Sequence, residues 1–231
     1  MAQTVVQAFP DGMVAPQDWL DLILPKFPGG VPDMIKHEVL TIVRDLCRVG
    51  SVWCEWVPPI TVDGSRVEYP VVTGYANVEA VTVLAARREM SPGTTVDLLP
   101  VGEQEGGPGV LVPADHTPIR FWQDKPGSVC FSPNPLPNTT STLVYPYVTL
   151  APLDLCAVPT WIWLEFSDVV VDGVLANLHE MPGVNKDKEL AASKRRRYLQ
   201  RRNAGRNRAQ AGFVSLPGRM PHPYFARGSQ R

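Results

Sequence analysis

Ile35, Val39, Ile42, Leu46 and Val49 recur at intervals of three and four, the spacing that lines one side of an α-helix. Pro32 suits the first helical position, and Asp33 places negative charge where the helix dipole favours it. Lys36, Arg44, Asp45 and Arg48 fill the polar side, and Gly50 is a natural stop. Ahead of this helix, residues 1–31 are rich in Pro and Gly, and their one apolar run, residues 19–24, is followed by Pro25 and Pro28. This stretch reads as an extended N-terminal arm able to lie on a neighbouring surface. The alternative is a short helix packed on its own domain.

Beyond Trp53, which alternates with Glu55 and Val57, the pattern changes from helical spacing to short strands. Residues 60–62 and 66–69 flank Asp63-Gly64, a strong hairpin signal. Residues 78–84 have strand composition, with Arg87, Arg88 and Glu89 following them. Residues 95–99, 119–122, 129–131 and 143–148 continue the series. Residues 103–109 have loop composition. Residues 58–157 are therefore expected to form a β-rich module, barrel- or sandwich-like.

Helical spacing returns after Pro159. Thr160 is a candidate N-cap, and Leu164, Val171, Val174, Leu175 and Leu178 form an apolar face. Gly173 lowers helix propensity by about 1 kcal/mol relative to Ala, so its presence there suggests close packing. Residues 181–183 end this helix. Asn185 is expected to cap another, with Asp187 and Glu189 in its first turn. It runs to about residue 210, roughly 38 Å at 1.5 Å per residue. That last helix is so polar that only a narrow strip of it can be buried.

Charge sharpens the picture. Residues 186–231 hold thirteen Lys or Arg against two acids, a balance of +11. Residues 1–185 hold nine basic and twenty-one acidic side chains, a balance of −12. The overall value of −1 hides this split, which points to a partner for the cationic end. Two partners fit: a nucleic acid, held with strongly salt-dependent affinity, or an acidic protein surface. Eight cations of one sign, Lys194, Arg195, Arg196, Arg197, Arg201, Arg202, Arg206 and Arg208, repel one another unless something neutralises them. Downstream, Phe213, Leu216, Tyr224 and Phe225 are aromatic or apolar anchors in a proline-punctuated basic tail.

Catalytic chemistry has little to stand on. Glu165, Asp168 and Asp172 share one helix side and so make a candidate acid–base or hydrolytic set, but no histidine or second acidic cluster accompanies them. His37, His116, His179 and His222 are isolated, and no nucleotide-binding or nucleophile motif is present. Cys47, Cys54, Cys130 and Cys156 form no C-x-x-C pair and are expected as reduced thiols serving as small core hydrophobes. No enzyme activity, cofactor or metal is expected. With no apolar run long enough to span a bilayer and no signal-peptide pattern, cytoplasmic synthesis and no membrane partner are the expectation.

Three stretches are similar to the head-to-tail adaptor proteins of tailed bacteriophages, of the tail tubular protein A type. They are residues 30–47 running into Ser51, Val52 and Trp53; Pro59 and Ile60 with the Gly64/Tyr69 pair and residues 78–84; and residues 159–178 leading through Met181, Pro182 and Gly183 into the final helix. Together they span most of residues 30–210. The resemblance implies an α+β fold: a three-helix bundle with the β-rich module inserted between helix 1 and helix 2, and extended N- and C-terminal arms. The corresponding divisions are 1–31, 32–57 with 158–212, 58–157 and 213–231. It also implies a homo-oligomeric ring, most often a dodecamer, beneath the portal protein at the virion's head–tail interface. Such a ring extends the DNA channel without sequence-specific binding and presents a surface to a tail nozzle or other tail protein. The basic helix and the tail anchors named above then become portal-docking residues. A nucleic-acid-binding protein acting through the same helix and tail is the alternative.

Overall fold

The computed structural model describes residues 12–100, 117–133, 141–182 and 186–210, with side chains up to residue 206. It contains four helices among these residues, α1 (Pro16–Ile23), α2 (Pro32–Arg48), α3 (Thr160–Glu180) and α4 (Lys188–Gln210). The β-rich region lies between the second and third of them. The expected three-helix bundle, with its insertion after the first helix, is thus corrected. The extra helix comes from the segment read as an arm. Trp19, Leu20 and Ile23 fall on one side of α1 and are buried. Trp19 meets Trp163 of α3 edge-on, with ring centroids 4.6 Å apart. Burial of side chains of this size stabilises by about 1.5–3 kcal/mol each, enough to hold an eight-residue helix that would be marginal alone. The segment before α1 is tied down as well: Val14 donates its N–H to Val158 O at 3.1 Å, and the Thr160 hydroxyl donates to Gly12 O at 2.6 Å. Thr160 is therefore the first residue of α3, after the N-cap Pro159, and its hydroxyl serves another segment.

The chain divides into two units. The helical unit draws on Met1–Val52, Tyr75–Val78 and Ala151–Arg231, and the β unit on Trp53–Gly74 and Glu79–Leu150. In the helical unit α2 buries Ile35, Val39, Ile42, Val43, Leu46 and Cys47, while Val49 is 39% exposed. In α3 the buried set is Ile162, residues 169–171, residues 173–176, Leu178 and His179. Leu164, expected on that face, is 75% exposed. Residues 161–164 are all apolar, so spacing alone left the inward side open there, and Ile162 occupies it. Helix α2 meets α3 and α4 at Gly173, where an added Cβ would lie 2.8 Å from Ile42 Cγ2 and 3.0 Å from Tyr198 Cδ2.

Among the described residues the β unit is built mainly from nine strands in two sheets. They are β1 (Cys54–Trp56), β2 (Ile60–Val62), β3 (Glu68–Pro70), β4 (Val78–Ser91), β5 (Thr94–Asp97), β6 (Leu99–Pro100), β7 (Arg120–Trp122), β8 (Ser128–Ser132) and β9 (Thr142–Pro152). One sheet has the order β1-β9-β4-β5, with β2 also paired to β9, and the other β3-β8-β7-β6. Val62, Tyr69, Leu98, Phe121, Val129, Phe131, Val144 and Val148 are among its buried residues. The Gln123 carboxamide links the sheets, accepting the Val83 N–H at 2.8 Å and donating to Val81 O at 3.1 Å.

Two strand expectations change. The Asp63-Gly64 turn exists, with Gly64 at φ 75° and its N–H donated to the Tyr69 hydroxyl at 2.9 Å. Yet β2 pairs with β9 and β3 with β8, so the turn passes between sheets and closes no hairpin. Strand β4 also runs through Arg87, Arg88 and Glu89 and turns at Gly93 (φ 81°) into β5.

Candidate functional site

Helix α4 carries the strongest chemical signal of the sequence, and its structure divides that signal in two. Its 23 residues rise over about 35 Å. The helix starts where the Asp187 carboxylate accepts the Leu190 N–H at 2.9 Å, so Asp187 is the capping side chain; Asn185, expected in that role, lies outside the described residues. Ala191, Tyr198 and Gly205 are buried and recur every seven residues, keeping to one side of the helix. Two of the three are small, which lets α4 approach closely. An added Cβ at Gly205 would stand 3.0 Å from Val52 Cγ1.

Cations flanking this strip are consumed by the fold. Lys194 Nζ lies 2.7 Å from Asp172 Oδ1, with side chains 22% and 14% exposed. Arg195 donates to Glu180 Oε2 at 2.7 Å and to Asn177 Oδ1 at 3.0 Å, and Asn177 in turn donates to Glu38 Oε2 at 2.7 Å. Arg202 donates to Asp45 Oδ2 at 2.9 Å and sits over the Tyr198 ring, 5.8 Å from its centroid. The Tyr198 hydroxyl also donates to Asp45. Burial first, and then the hydrogen bond to Asp45 and its charge, hold the Tyr198 phenol far above its usual pKa. Three of the eight expected docking cations thus bind α4 to α2 and α3. Asp45 and Asn177, their partners, carried no sequence signal beyond lying on polar helix positions.

Four more of the eight cations face outward. Arg196, Arg197, Arg201 and Arg206 are exposed, and no carboxylate among the described residues pairs with them. Their side of the helix also carries Ala192, Ser193, Gln200, Asn203 and Ala204, all exposed, and one acid, Glu189 of the first turn, seven residues before Arg196. The side chain of Arg208 and all of Phe213, Leu216, Tyr224 and Phe225 lie outside the described residues. The acidic set of α3 is divided in the same way, with Asp172 engaged by Lys194 and Glu165 and Asp168 exposed. No group of three potential metal ligands occurs among the described residues. Nor is any helix among them long and apolar enough to cross a membrane. Cys47, Cys54 and Cys130 are buried, whereas Cys156, expected in the core with them, is exposed.

A groove of about 310 Å³ in the β unit is lined in part by Pro58, Pro59, Ile60, Tyr69, Pro70 and Val72. Its polar side chains are Thr61, Asp63, Ser65, Arg66 and Tyr69. No protein-family model and no curated protein matches the chain.

Proposed function

We propose that this chain is a structural head-to-tail adaptor of a tailed bacteriophage, without catalytic activity. It assembles as a ring, a dodecamer by the resemblance, under the portal protein of the virion, extends the DNA channel and offers the tail its attachment surface. The observation that carries the reading is the arrangement of the helical unit. Its helices come from segments before and after the β unit in sequence, and its last helix carries exposed arginines that no carboxylate among the described residues pairs with. The order of similar stretches along residues 30–210 supports the same reading. So does the charge split: an acidic body repels phosphate and lets DNA slide past, while the basic segment beyond α4 attaches the subunit. Phe213, Leu216, Tyr224 and Phe225, beyond α4, are the attachment elements.

The test is electron microscopy of the purified chain, alone and mixed with the portal protein of the same phage. Rings that co-migrate with the portal are expected. A chain that stays monomeric and fails to co-migrate would overturn the reading.

A further inference from the structure

We infer that the exposed side of α4, centred on Arg196, Gln200 and Asn203 with Arg197 and Arg201 toward one edge and Arg206 at the other, is a docking surface for the phosphate backbone of duplex DNA. The inference divides the basic end of the chain: α4 grips nucleic acid, and residues 213–231 are left to attach neighbouring proteins. It does not depend on ring assembly.

The partition of cations is the first reason. Lys194, Arg195 and Arg202 have carboxylate partners within the fold, whereas Arg196, Arg197, Arg201 and Arg206 have none among the described residues. No acid occurs anywhere after Glu189. Four uncompensated guanidinium groups on one helix raise its potential and call for a polyanion. All four are arginine, whose planar fork matches phosphate oxygens two at a time.

The rest of the face decides which polyanion. A protein interface takes its affinity from large apolar or aromatic anchors that become fully desolvated. Here the only large apolar side chains left exposed on α4 are Leu190 and Leu199, at 38% and 36%. Between the arginines stand Gln200 and Asn203, which donate to and accept from phosphates and base edges, and Ser193. Ala192 and Ala204 are small enough to let a backbone approach. From Arg196 to Arg206 the helix rises about 15 Å, and with Arg201 and Arg206 on opposite edges of its exposed side the arginines can reach phosphates to either side of the helix.

The experiment is binding of the full chain to a fluorescent mixed-sequence DNA duplex between 50 and 200 mM salt. Four phosphate contacts contribute about −3.6 to the slope of log K against log salt, an affinity loss of about 150-fold over that range. Replacing all four arginines (R196Q, R197Q, R201Q and R206Q together) should remove that increment while the urea midpoint stays at the wild-type value. The corresponding lysine variant should retain it, and so should a tail variant carrying R219Q, R227Q and R231Q. An unchanged slope in the glutamine variant would refute the inference. So would loss of the increment in the tail variant, which would move the contact to residues 213–231. Polyglutamate of equal charge competing as well as DNA would also refute it, by making the face a site for acidic protein. Ring formation, read in the same preparations, is unaffected by any of these results, so the two proposals fail separately.

Discussion

The ammonium of Lys194 lies 2.7 Å from the Asp172 carboxylate, and this single pair removes a residue from each of two candidate sites. Asp172 belonged to the acidic set of α3 and Lys194 to the docking set of α4. Joined, they fasten one helix to the other. Each is more than three-quarters withdrawn from solvent, so neither is available to a partner without breaking the contact.

Lys194→Met should therefore destabilise the helical unit by about 1–3 kcal/mol, because the largely buried Asp172 carboxylate loses its donor. The double variant with Asp172→Leu should recover much of the loss, since replacing both partners removes the unpaired charge. Urea unfolding midpoints of the four proteins in the cycle measure this, and simple additivity of the two substitutions would contradict it.

Stability at high pH should depend on Tyr198. Its folded-state phenol is held protonated by burial and by Asp45, so its pKa is raised above the value near 10 of an unfolded tyrosine. The stability this supplies is complete below about pH 10 and is lost as pH rises from there toward the folded value, because only the unfolded chain then gains by ionising. Tyr198→Phe should cost about 1 kcal/mol at neutral pH and show a flatter alkaline limb. Unfolding midpoints from pH 7 to 11 provide the comparison.

At the opposite end of the scale, Glu68 should govern part of the acid limb. Lys125 Nζ lies 2.8 Å away, and the hydrogen bonds from Lys125 and then Ser128 lower the pKa of the Glu68 carboxyl. Its contribution is present above the unfolded carboxylate range and is lost as pH falls through the folded value. In Glu68→Gln the acid-side decline in stability should be shallower. Chemical unfolding of the β unit between pH 5 and 2 reports it, and parallel curves for the two proteins would count against the assignment.

Gly173→Ala sets helix propensity against packing. Propensity favours the change by about 1 kcal/mol. The new methyl would meet Ile42 at 2.8 Å and Tyr198 at 3.0 Å, and overpacking of this kind costs about 1–3 kcal/mol. Net destabilisation is expected, with partial rescue by Ile42→Ala, which opens the space. A more stable Gly173→Ala protein, read by thermal melting, would show that the three helices can separate at little cost.

Several local elements of the fold were legible in the sequence because they answer to local rules. Helix α2 begins at Pro32 as its proline and apolar stripe require, and the strand segments at 120–122 and 128–132 follow from β-rich composition between turn residues. Helix α1 was ambiguous for a physical reason. Eight residues offer barely two turns of periodicity, and only the burial of Trp19 against Trp163 makes them helical. The Asp63-Gly64 turn was legible, but its hairpin was not, since turn chemistry is blind to which sheet each flanking strand joins. Within the candidate site, the run of cations was plain and its division was not. Arg202 finds Asp45 across 157 residues of chain, and nothing near either residue announces the other.

By itself, the sequence determined where most helices and strands lie, that the charge is segregated, and that Gly173 sits in a tight contact. Each of these depends on residues a few positions apart, or on a simple sum over a segment. Tertiary structure alone decided that α1 belongs to the helical unit, that β2 and β3 part company, and that Lys194, Arg195 and Arg202 serve the fold while Arg196, Arg197, Arg201 and Arg206 face outward. The reason is that a cation's role is set by the nearest carboxylate in space. Chain closure through the core, rather than sequence distance, brings that carboxylate within reach.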